Sequence, residues 1–132
     1  MTILRRVLYL DALLSAVGGI LLAVAPGFLM ETLLGQPRGP DDEVLRLFGI
    51  ALFTLALFMV LVGHRIEDLW WWSWAFVVLK AGSALVAMLN AALGVPSGAP
   101  RWPWWVLGVI SLGFAAAYVW GLGRAGLERP PL

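Results

Sequence analysis

Four apolar runs, at about 7–25, 47–62, 75–93 and 104–122, constrain this chain more than any other feature. Each is near the ~20 residues a helix needs to cross ~30 Å of hydrocarbon. Pro26-Gly27, Gly63-His64-Arg65 and Gly94-Val95-Pro96 break them apart, as glycine and proline do. With 61% hydrophobic and 13% charged residues, about half the charged share of a soluble domain, one small core cannot hide the apolar surface. The expected fold is an all-α integral membrane protein, a single four-transmembrane-helix bundle. The first run could be read as a secretory signal with Ala23-Val24-Ala25 as its cleavage site. Asp11 interrupts that run early and Pro26 obstructs the cut, so it is read as the first span.

The connections fit this reading. Phe28 to Leu34 is too short to span and is expected to lie in the interface, before a Gly- and Pro-rich loop at residues 35–40. Asp41, Asp42 and Glu43 put negative charge at the second helix start, and Glu67 and Asp68 do so at the third. Arg46, four residues after Asp42, can pair with it. Four spans leave both termini on one side. With the termini inside, that face carries Arg5, Arg6, Arg65, Arg124 and Arg129, against Arg38, Arg46 and Arg101 outside. The cation bias favours both termini in the cytoplasm.

The third run contains the only lysine, Lys80, and the first contains Asp11. A lone charge near a helix centre costs ~2.5–3.5 kcal/mol on insertion scales. Both helices start on the same side, which puts Asp11 about 6 Å and Lys80 about 9 Å deep at 1.5 Å per residue. An intramembrane Asp11–Lys80 ion pair is the leading expectation. The alternatives are a Lys80 that snorkels to the interface, or one that faces a cavity and receives an anionic or carbonyl-bearing ligand, with Asn90 nearby.

Membrane helices associate through small residues. On the first span these recur at Ser15, Gly19, Ala23 and Gly27, and on the fourth at Gly113, Ala117, Gly121 and Ala125. The second has Gly49, Ala56 and Gly63 at heptad spacing, and the third places Ser83 and Asn90 on the stripe of Lys80 as a polar packing face. These seams are expected to pack the bundle; the alternative reading is that a seam also contacts another subunit. Trp70, Trp71, Trp72 and Trp74 form one expected interfacial belt, and Trp102, Trp104 and Trp105 a second.

Several function classes find no support. A net charge of +1 offers no basic field for nucleic acid. No cysteine and a single histidine, His64, exclude thiolate sites and bis-histidine haem ligation by this chain alone. No residue constellation looks catalytic, no metal site is expected and no cofactor is assigned. The expected role is a non-enzymatic small accessory subunit of a larger membrane complex, such as a respiratory or photosynthetic one. The other reading is a binder or carrier of a lipid, quinone or carotenoid in an intramembrane pocket near Lys80 and Asn90.

Pro26-Gly27, Gly35-Gln36-Pro37 and Arg46-Leu47-Phe48-Gly49 give the first sixty residues a pattern that resembles the small four-helix DoxX-like membrane proteins. That resemblance implies a bacterial inner-membrane protein, some relatives being linked to quinone-dependent respiration. It transfers no site residues.

Overall fold

The computed structural model describes residues 1–37 and 42–128. Four helices long and apolar enough to span a bilayer follow one another: α1 (Thr2–Val24), α2 (Asp42–His64), α3 (Ile66–Gly94) and α4 (Trp102–Glu128). Among the described residues there is no strand. The protein has the four-helix, all-α architecture of a membrane bundle. Asp41, at the expected start of α2, and Arg38 and Arg129 lie outside the described residues.

The ends of the helices follow from local chemistry. Acidic residues occupy the first turn of α2 (Asp42, Glu43) and of α3 (Glu67, Asp68), where the macrodipole favours them. The spans overrun the purely apolar runs because these polar turns are helical too. α3 tightens to a 3-10 turn through Trp70–Trp72 and widens to a π turn over Asn90–Gly94. It stops at Val95, whose backbone is extended, as the residue before a proline tends to be. A π-helical segment, Phe28–Leu33, follows α1 and buries none of its side chains.

α1 and α2 form the tightest pair. A Cβ on Gly49 would lie 2.5 Å from Ala23 N and 2.6 Å from Gly19 O, and one on Gly19 would lie 2.8 Å from Gly49 O. Only glycine permits this approach. The pair is also clamped at both ends. Arg5 Nε donates to Gly63 O at 3.1 Å, and Arg46 Nη1 donates to Ala23 O at 3.2 Å. Each guanidinium thereby meets a carbonyl in the last turn of the other helix, where a cation opposes the dipole.

α3 packs on α4 through buried Ala84, Ala87 and Ala91, with Gly108 making room for Met88. The two hairpins join where α1 meets α4. Leu4 lies on Gly121, and Leu8, Met59, Ile66, Tyr118 and Leu122 complete the core at the end that carries the termini.

The small-residue stripe of α4 departs from expectation. Gly121 and Ala125 are buried, Ala117 is half-buried, and Gly113 is exposed with no atom within 4 Å of a Cβ placed there. Four residues turn a helix by about 400° at 3.6 residues per turn, so a strict i, i+4 stripe drifts about 40° per step. The buried face of α4 instead runs through Gly108, Ser111, Ala115, Tyr118 and Ala125. On α1 the same drift is productive. Asp11 and Ser15 face the α4 side, while Gly19 and Ala23 have turned onto α2.

Candidate functional site

Asp11 is fully buried, and three donors converge on its carboxylate. Lys80 Nζ from α3 lies 2.5 Å from Oδ1. Ser15 Oγ, one turn further along α1, donates to Oδ1 at 3.2 Å, and Tyr118 Oη from α4 donates to Oδ2 at 2.8 Å. The cluster therefore binds three of the four spans through a single side chain.

Aromatic rings frame it. Phe114, one turn before Tyr118, places its ring centroid 5.2 Å from Lys80 Nζ, close enough for a cation–π attraction. Phe76, one turn before Lys80, has its ring centroid 6.0 Å from that of Tyr118. The Lys80 side chain is 14% exposed, so its charge is largely withdrawn from the surroundings and must be answered from within. Both oxygens of this buried carboxylate are engaged, Oδ1 by the ammonium and the Ser15 hydroxyl and Oδ2 by the Tyr118 hydroxyl. The carboxylate holds helices together.

Of the residues singled out in the sequence, the structure brings together Asp11, Lys80 and Ser15. No hydrogen bond or ion pair joins half-buried Ser83 or Asn90 to them; Asn90 directs its Oδ1 toward Gly94 in the π turn. Trp71, Trp72, Trp74, Trp102 and Trp105 are exposed on the outer surface. Trp70 is not. It is 7% exposed and stacks on Trp71 with centroids 4.4 Å apart, because helical periodicity puts it on the core face with Ile66 and Ser73.

Tyr118 and Phe114 were not foreseen. Tyr118 sits one turn inside the end of the fourth run. Its depth matches that of Asp11, one turn inside the start of the first, and that match was the available signal.

Trp104 is half-buried and serves a second polar cluster at the other end of the bundle. Gln36, 5% exposed, accepts from Trp104 Nε1 at 3.0 Å and donates to Pro100 O at 2.8 Å and Leu34 O at 3.1 Å. Gly35 makes this turn at φ +63°, a backbone conformation glycine adopts readily.

Two cavities open on the outer surface. One, of about 390 Å³, lies between α2 and α3 and is lined by apolar side chains including Phe58, Leu69, Trp72 and Phe76. The other, of about 340 Å³, is a groove between α1 and α4 with Arg6 at one end. Neither is lined by Asp11, Lys80, Ser83 or Asn90. Among the described residues no group of three or more His, Cys, Asp or Glu side chains could hold a metal ion. Compared with protein-family models, with curated proteins and with solved structures, the chain matches none.

Proposed function

We propose that this chain is a non-enzymatic subunit of a larger assembly in a bacterial inner membrane, with both termini in the cytoplasm. The observation that carries this reading is Gly82. It lies in the middle of α3, exposed, and among the described residues nothing beyond its own stretch of helix comes within 4 Å of a Cβ placed there. Glycine costs a helix interior about 1 kcal/mol relative to alanine. At Gly49 that cost permits the α1–α2 contact, whereas at Gly82 it relieves no crowding among the described residues. A helix of another chain approaching there would use it. The Asp11–Lys80 cluster adds support, since the intramembrane charges are occupied in holding the bundle.

Extraction of native membranes into lipid nanodiscs, followed by mass spectrometry, tests the proposal. The expected result is co-purification with other membrane chains, weakened by Gly82→Leu. Recovery of the chain alone in its native lipid would sink it.

A second reading, a carrier of a hydrophobic molecule, draws on the α2–α3 cavity, whose size falls in the usual ligand range of about 300–1,000 Å³. Its mark would be a mass-detectable quinone or carotenoid retained by the wild type and lost from Ala75→Trp.

A further inference from the structure

We propose that the groove between α1 and α4 binds an anionic phospholipid, one acyl chain lying in the groove and the phosphate on Arg6. The proposal rests on the membrane character of the bundle, and it is independent of the subunit role.

The groove has an apolar body and a cationic end. Leu10, Ile110, Gly113, Phe114 and Ala117 line the body, and Arg6 lines the end that lies toward the termini. Gly113 leaves open space where a side chain would close the channel. Arg6 is exposed and makes no hydrogen bond or ion pair among the described residues, whereas its neighbour Arg5 is spent on Gly63 O. Arg124 follows Ala117 by seven residues, which returns it to within about 20° of the same face of α4. It too has no such partner among the described residues. Of the acids at this end, Glu128 pairs with the Met1 ammonium and Asp68 with Arg65.

The Arg6 guanidinium, without an acid at the mouth of an apolar groove, suits a phosphate, which accepts charge-assisted hydrogen bonds from arginine, and Arg124 lies on the same side of α4 by helical register. A second copy of the chain suits the site less well. A two-fold contact along this groove would bring Arg6 and Arg124 toward their own equivalents and supply no anion. The body of the groove is apolar from Leu10 to Ile110, the environment an acyl chain requires.

Native mass spectrometry of the full chain, with phosphatidylglycerol and phosphatidylcholine of identical acyl chains, provides the test. The wild type should retain phosphatidylglycerol in preference. Arg6→Gln should reduce that preference about fivefold, the factor matching ~1 kcal/mol per basic residue at an anionic surface. Gly113→Leu, which fills open space, should lower retention of both lipids while leaving thermal unfolding unchanged. Equal retention of the two lipids by the wild type, or an unchanged preference in Arg6→Gln, would overturn the proposal. So would a Gly113→Leu variant that loses a dimer and keeps its lipid.

Discussion

Lys80 Nζ and Asp11 Oδ1 lie 2.5 Å apart, although the helices that carry them scarcely approach one another. α1 packs on α2 and α3 packs on α4, so the bundle consists of two hairpins. The ion pair and the Tyr118 hydrogen bond cross between them. Their energetic role is to fix how the hairpins dock, since each hairpin already has its own small-residue seam.

Lys80→Met should therefore destabilise the bundle by about 3–5 kcal/mol, the usual cost of stranding one member of a buried pair. Lys80→Met combined with Asp11→Leu should recover much of that loss. Unfolding in a mild detergent of fixed composition gives the double-mutant cycle, and a coupling of about 0.5–3 kcal/mol is expected. A double variant no milder than the sum of the singles would show that the two side chains do not interact.

Tyr118→Phe keeps the ring against Phe76 and removes only the hydroxyl that donates to Asp11. A hydrogen bond to a charged acceptor contributes about 1.5–3 kcal/mol, and that is the expected loss. In an Asp11→Leu background the hydroxyl has no acceptor, so the same change should be neutral or stabilising. An equal loss in both backgrounds would assign the effect to packing rather than to the carboxylate.

What could be read from the residues has a physical boundary. The four spans were legible because hydrocarbon demands continuous apolar runs, and Asp11 and Lys80 stood out because charge is expensive there. Gly49 was placed in a seam by spacing alone. Gly113 falls outside the seam that its spacing suggests, because an i, i+4 repeat is not a single face: over twelve residues it turns through about a third of the helix. Trp70 was read by its residue type when its register decided its place. Gln36 looked like ordinary loop material, because its partners Pro100 and Trp104 lie more than sixty residues away and long-range contacts leave no local pattern.

The glycines separate into close-contact and open positions, and single substitutions should reveal the division. Gly49→Ala would force a methyl group against Ala23 N and Gly19 O, backbone atoms that cannot move independently. A loss of about 1–3 kcal/mol or more is expected from such overpacking. Gly82→Ala meets no packed neighbour among the described residues and should gain up to about 1 kcal/mol from helix propensity. Melting of the isolated chain in detergent would distinguish them, and similar shifts at both positions would contradict the described α1–α2 contact.

Ser73 presents the opposite case, a polar group with nothing to satisfy it. Its side chain is fully buried and its Oγ has no hydrogen-bond partner among the described residues. Leaving a buried donor or acceptor unpaired costs about 1–3 kcal/mol. Ser73→Ala should accordingly be neutral or stabilising, raising the unfolding midpoint. A clear drop would mean that the hydroxyl has a partner in the membrane-embedded protein, such as a water.

The far end of the bundle depends on Gln36. It bonds the segment after Phe28–Leu33 to Pro100 and to Trp104 at the start of α4. Gln36→Leu fills similar volume but removes three hydrogen bonds and leaves the indole N–H of Trp104 without its acceptor. At about 0.5–1.5 kcal/mol net per bond, the end should loosen while the Asp11 cluster, at the other end, stays intact. Hydrogen exchange read by mass spectrometry should show faster exchange in residues 34–37 and 96–101, with Asp11 and its neighbours on α1 unchanged. Equal acceleration along all of α1 would mean that Gln36 supports the whole bundle, and no acceleration in the loops would mean that its hydrogen bonds do not hold them.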